Sequence, residues 1–315
     1  MKLMRIVTIM AAIVAAAAIT VAAGIHDKST AARPPAPAAP HPVTLPAKPG
    51  TYLGIYVPGV PDSYVPVTAF TMATGVRPGV VVYYSGWLEP FRTSFATTAA
   101  EHGVVPLVQI EPTGISLAAI ASGRYDRYLS SYAEAVRAYG RPVILSFGHE
   151  MNGSWYSWSH RHSSPAVFVA AWRHIVTVFR AVGAENVTWL WTVNIISKQG
   201  GIPAPEPWWP GSSYVTWVGI DGYYTKSSTT FAPLFGPTIF AVRTLTSDPI
   251  LIAETGVAPA AGQPAKIADL FAGIRTYGLL GFMWFDTIGA QDWRLISAPA
   301  VAAFRQGAEA YRLAS

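Results

Sequence analysis

Two glutamates in this 315-residue sequence stand where apolar runs stop. Glu150 follows Val-Ile-Leu-Ser-Phe-Gly-His, and Glu254 follows Ile-Leu-Ile-Ala, 104 residues later. A carboxylate at the end of a buried run is costly unless it is paired or hydrogen-bonded, so packing alone does not explain such positions. Two opposed carboxyls, one protonated and one ionised, are what cleavage of a glycosidic bond requires. Other chemistries lack their residues. Without a single cysteine, thiolate catalysis, disulfides and cysteine zinc sites are excluded. A Gly-x-Ser-x-Gly elbow for a serine nucleophile is missing as well. His160-Arg161-His162 has a spacing that could bind a metal, yet no carboxylate or third histidine lies beside it in sequence, and it reads as a solvated loop. Asn152-Gly153-Ser154 and Asn186-Val187-Thr188 read as glycosylation sequons.

The elements that must position the two glutamates alternate along the chain. Strand-like runs occur at Tyr52–Val57, Val80–Ser85, Val104–Ile110, Val143–Phe147, Val187–Val193, Val215–Ile220, Ile250–Ala253 and Gly281–Phe285. Near-continuous hydrophobic runs suit parallel strands covered on both faces. Between them, Tyr125, Tyr128, Leu129, Tyr132, Val136 and Tyr139 share one helical face, as do Phe168, Trp172, Ile175 and Phe179. The second of these helices is predicted to start at Ser164-Pro165 and end near Gly183. A third helix is predicted from about Pro264 to Tyr277, and a last one near Tyr311. Eight such units in about 265 residues fit an α/β fold of the (β/α)8 TIM-barrel type. An open doubly wound sheet would carry a Gly-rich phosphate turn after its first strand, where this chain has Pro58-Gly59-Val60-Pro61. At about 33 residues per unit, Glu150 and Glu254 fall on the fourth and seventh strands, facing each other across the barrel mouth.

Composition agrees with one large core: 51% of residues are hydrophobic and 12% charged. The net charge of +5 comes from scattered Lys and Arg without a basic stripe, which argues against nucleic acid as a partner. Residues 1–30 read as an export signal or an N-terminal anchor, with Lys2 and Arg5 preceding the apolar run Ile6 to Ala23. A Pro/Ala-rich spacer follows over 31–50, and the barrel is expected over 51–315. The expected localisation is secreted, with a membrane involved only if the first segment stays uncleaved. Eleven tryptophans and 15 tyrosines, many in loops, supply flat faces on which sugar rings can stack.

The segment from Phe147 to Trp158 (Phe-Gly-His-Glu-Met-Asn-Gly-Ser-Trp-Tyr-Ser-Trp) resembles the signature of glycoside hydrolase family 26, the family of β-mannanases and related β-glucanases and β-1,3-xylanases. Val218 to Tyr223, Ile252 to Gly256 and Ile120 to Tyr128 are similar to other parts of that family, so the resemblance covers the whole expected domain. It implies a retaining, endo-acting enzyme on a β-1,4-linked polysaccharide, β-mannan first, with mixed-linkage β-glucan or xylan as alternatives. A catalytically silent carbohydrate-binding barrel is the alternative from another class. Carried over by position, the resemblance makes Glu150 the general acid/base and Glu254 the nucleophile. His149 would shape the subsite beside the scissile bond, and Trp155 would contact sugar near it. Tyr223 would hydrogen-bond the nucleophile, and Trp284 would be the stacking platform under the distorted sugar. Glu111, Asn152 and Asn194 are further candidates for hydroxyl contacts. The chemistry calls for no cofactor and no metal, the partner is the polysaccharide itself (mannan or β-glucan), and the protein is expected to be a monomer.

Overall fold

Eight short strands form where the β-branched and aromatic runs lie: β1 Tyr52–Tyr56, β2 Val80–Gly86, β3 Val105–Glu111, β4 Val143–Phe147, β5 Val187–Asn194, β6 Trp217–Asp221, β7 Ile250–Thr255 and β8 Gly281–Phe285. Each pairs in parallel with the next, and β8 closes on β1. The computed structural model describes residues 45–314 apart from residue 198. The export segment expected over 1–30 and the spacer up to residue 44 lie outside the described residues.

Side chains alternate between the two faces of a strand. One set (Val80, Val82, Leu107, Ile144, Leu190, Trp217, Leu251, Met283) fills the barrel interior. The other (Ile55, Val81, Tyr83, Val108, Leu145, Trp191, Val218, Ile252, Phe282) packs outward against the helices. The interior needs small residues as well as large ones. A Cβ on Gly54 of β1 would lie 2.1 Å from Met283 Sδ, so this strand can pass the methionine only as glycine.

The outer ring is α1 Val65–Thr74, α2 Thr93–Glu101, α3 Leu117–Ala121, α4 Asp126–Tyr139, α5 Pro165–Val182, α6 Phe231–Leu245, α7 Gln263–Thr276 and α8 Ala298–Ala314. In α5, Phe168, Trp172, Ile175 and Phe179 are buried on one face; Ser164 is the N-cap residue, Pro165 opens the helix, and Gly183 closes it in the left-handed conformation. The ring is less regular than eight equal units. β3 is followed by two helices, and β5 by none, only by the 3-10 turns Glu206–Trp208 and Ser212–Tyr214. Pro203, Pro205, Pro207 and Pro210 account for this, since each removes a backbone donor that a helix needs.

The barrel's packing also begins earlier than Thr51. Leu45 packs against the interior cluster, Tyr52 Oη donates to Pro46 O at 2.7 Å, and Gly50 N donates to Leu279 O. Residues 45–50 thus belong to the barrel end opposite the strand C-termini.

Candidate active site

The C-terminal ends of β4, β6 and β7 bring three carboxyls together. One carboxyl oxygen each of Glu150, Asp221 and Glu254 lies within 4.8 Å of the others, and all three side chains are buried. Among the described residues, this is the group whose atoms converge closely enough to hold a metal ion.

Glu150 and Glu254 reach this point by different backbone devices. Beyond β4 the chain enters the left-handed region twice, at Gly148 and at Glu150, both with φ of 54°. A glutamate in that region is uncommon and costs energy, and such strain clusters where a side chain must be aimed. Backbone bonds hold it: Gly148 N donates to Ile110 O and Glu150 N to Thr192 O at 3.0 Å. In β7 simple alternation would send Glu254 outward with Ile250 and Ile252, since Leu251 and Ala253 face inward. The register shifts on both sides of this stretch, against β6 and against β8, and the irregularity turns Glu254 into the mouth.

Their surroundings differ too. Glu254 accepts hydrogen bonds from two phenols, Tyr84 Oη on Oε1 and Tyr223 Oη on Oε2, the latter at 2.8 Å. Burial pushes its carboxyl above the usual carboxylate range, and the two tyrosines pull it back. Glu150 accepts from Asn194 Nδ2 on Oε1 and from Trp155 Nε1 on Oε2 at 2.7 Å. Burial, reinforced by the charge of Glu254, pushes it up to about 8. Asp221 is raised well above its ordinary range by burial and by both glutamates. Among the described residues no side chain donates to it, and the Glu254 backbone N–H faces it. Each glutamate has two donors that favour its ionised form, and both are raised by burial; the charge of Glu254 pushes Glu150 further up and keeps it protonated near pH 7, which is the division that acid and nucleophile roles need.

Around the trio, His149 is buried with Nε2 3.1 Å from Tyr156 Oη, and burial lowers its pKa to about 3, so the imidazole is neutral. Glu111 lies at the mouth end of β3. Burial, then the charges of Glu254 and Glu89, raise it to about 7. Trp155 is 48% exposed while its indole N–H is engaged on Glu150, leaving ring surface open to a ligand.

Two of the expected contact residues are placed elsewhere. Trp284 is not a platform in the mouth. It has 0% exposure and packs against Phe304 of α8, because Met283 faces the interior and its neighbour must face outward. Phe285 takes the mouth position, stacked on Tyr56 at 4.7 Å and edge-on to Tyr223. Asn152 is committed to the backbone: Nδ2 donates to Asn194 O and Pro203 O, and Oδ1 accepts from Asn194 N at 2.8 Å. It ties the β4 loop to β5 and has no face left for a sugar. Asn194 itself turns to Glu150. Asn186 is likewise buried, donating to Val136 O and Arg141 O, so neither sequon presents a free amide. Tyr56, Tyr84, Asp221 and Phe285 complete the mouth and were missed by sequence reasoning. Alternation was the available signal, since counting by two from the interior residues Tyr52, Val82, Trp217 and Met283 leads to each of them.

The profile described as Glycosyl hydrolase family 26 matches residues 111–260. The chain is 31% identical over 274 residues to Endoglucanase H of Acetivibrio thermocellus, covering 82% of this chain and 30% of that protein. It is 25% identical over 167 residues to a beta-1,3-xylanase of Alcaligenes sp., covering 49% of this chain and 34% of that one. It thus spans about a third of the length of these curated relatives. Among solved structures, the Bacillus subtilis mannanase BCman is similar in fold, with a TM-score of 0.61 and 18% identity over 84% of this chain and 87% of the other.

Proposed function

This chain belongs to glycosyl hydrolase family 26, and on that premise we propose that it is a retaining, endo-acting β-glycanase that cleaves a β-1,4-linked polysaccharide, β-mannan being the first backbone to test. The observation that carries the reading is the pair Glu150 and Glu254, with oxygens within 4.8 Å across the mouth and each carboxyl held by two side-chain donors. Carboxyls about 5–5.5 Å apart leave no room for an intervening water and favour a two-step displacement with retention.

In the first step the Glu254 carboxylate attacks the anomeric carbon. The bond to the glycosidic oxygen breaks, and that oxygen takes the proton of Glu150. The product is a glycosyl ester on Glu254. In the second step Glu150, now ionised, removes a proton from water; the water oxygen bonds to the anomeric carbon and the ester breaks. Tyr84 and Tyr223 keep Glu254 ionised and aimed, Asn194 and Trp155 hold Glu150, and neutral His149 with Tyr156 offers uncharged hydrogen-bonding groups beside the bond being cut. The apolar segment read as an export signal supports action outside the cell.

A second reading, mixed-linkage β-glucan, is favoured by the similarity to Endoglucanase H. Reducing-sugar release on galactomannan and on barley β-glucan, side by side and with Glu254→Ala as control, separates the two. Release that disappears in the variant is the expected result. Release that persists in it overturns the assignment of Glu254, and retention of polymer with no release leaves a binding barrel.

A further inference from the structure

Beyond Glu150 the chain turns back on itself over residues 150–160. Gly153 N donates to Glu150 O at 2.8 Å, and His160 N donates to Met151 O at 2.8 Å. The Trp155 indole lies so close over Gly153 that a Cβ there would sit 2.6 Å from Trp155 Cζ2. Only across a glycine can this indole reach back to Glu150 Oε2 at 2.7 Å. The far end of the loop is pinned by a side chain. His160 Nδ1 faces the carbonyl oxygens of Asn152, at 3.1 Å, and of Gly153. A carbonyl only accepts, so Nδ1 carries the hydrogen, and it does so in the neutral and the protonated ring alike. His160, expected to be a solvated loop residue, is instead half-buried, its ring edge-on to Trp208 at 6.3 Å.

We propose that His160 is a positioning residue for glycoside cleavage: by holding the Gly153 carbonyl it fixes the surface on which the Trp155 indole rests, and so the hydrogen bond from that indole to Glu150. This rests on the reading of Glu150 as the acid. Asn152 cannot substitute, because its side chain anchors the start of the loop to β5 and Pro203 and does not touch the Gly153 carbonyl. The indole bond favours the ionised form of Glu150. Losing it therefore moves Glu150 upward, and the basic limb of kcat/KM with it. Glu150 also faces Glu254 from β7, Asp221 and Tyr223 from the β6 end and Tyr156 from its own loop, so the effect is read as a difference between variants.

The test pairs a spectrum with a pH profile. In protein carrying 15N-labelled tryptophan, the Trp155 indole resonance is identified by its loss in Trp155→Phe and followed through the titration of Glu150. In His160→Ala it is expected to lose most of that pH response while the other indoles stay in place. The basic limb of kcat/KM is expected to rise by about 0.5–1 pH unit, the effect of one lost bond to the charged form. His160→Gln keeps an N–H donor and is expected to restore both. A folded His160→Ala with an unchanged Trp155 response and limb overturns the proposal. So does a folded His160→Gln in which Trp155 is displaced, which covers the case where the alanine variant fails to fold. If the Trp155 response depends on His160 but the wild type releases sugar from no glycan, the positioning stands and the glycanase reading falls.

Discussion

The two strand ends that supply Glu150 and Glu254 solve one problem in opposite ways. At β7 the carboxyl is aimed by a register shift inside the sheet and gripped by phenols from β2 and the β6 end, all parts of the barrel wall. At β4 it is aimed by a left-handed residue just past the strand and held partly by a loop that folds back over a glycine. The donors on both sides favour the ionised carboxyl, two phenols on Glu254 and the Asn194 amide with the Trp155 indole on Glu150. On the loop side, the charge of Glu254 adds to burial and keeps the carboxyl protonated, and one of its donors, Trp155, is half-exposed. A nucleophile has to be held still and charged, whereas an acid has to exchange protons with whatever enters, so the contrast follows from the chemistry proposed for each.

That contrast is broken most severely by deleting each carboxyl in turn. On an aryl glycoside with a good leaving group, Glu254→Ala is expected to lose about 10⁴-fold or more in kcat, whereas Glu150→Ala keeps much of its first step, because such a group departs without a proton. Equal losses on this substrate would erase the distinction. A milder comparison removes donors. Tyr223→Phe is expected to cost about 10–100-fold in kcat/KM, the range for one hydrogen bond to a charged group, and to move the acid limb upward, because ionised Glu254 loses a partner. Asn194→Ala is expected to leave the acid limb in place and move the basic limb upward. Exchanged limbs would mean that the acid and nucleophile assignments are reversed.

The smallest effect is on stability. The folded-state pKa of Glu150 is raised from 4.5 to about 8, so the stability tied to its protonated form is complete below about pH 4.5 and is lost as pH rises through about 8. Glu150→Gln removes that loss. Its melting temperature is expected to match the wild type near pH 4 and to exceed it near pH 8–9, by a margin that grows as pH rises between the two. A difference that does not grow with pH would mean Glu150 is not the neutral partner.

Much of this was legible along the chain. Apolar β-branched runs ending in carboxylates, amides and aromatics specify a parallel barrel and mark its mouth, because strands covered on both faces tolerate polar groups only where they end. That logic located both glutamates, while His149, Trp155 and Tyr223 came from the resemblance of the surrounding motifs. Period-two alternation also held the answer for Trp284 and Phe285, and the platform carried over from the resemblance was misplaced at Trp284. Other features depend on contacts between distant residues. Alternation would have pointed Glu254 at the helices, and only pairing with β6 and β8 shows the irregularity that turns it inward. Asn152 has the composition of a sugar contact, and only the approach of β5 and Pro203 shows that its hydrogen bonds are already spent. His160 looked solvated until the loop closed over Gly153. The sequence by itself determined which residue types reach the mouth, since periodicity and burial are local properties. Which atoms meet there, and which carboxyl keeps its proton, was decided by the closed barrel alone, because desolvation, mutual repulsion and donor geometry arise only when β2, β4, β5, β6 and β7 converge.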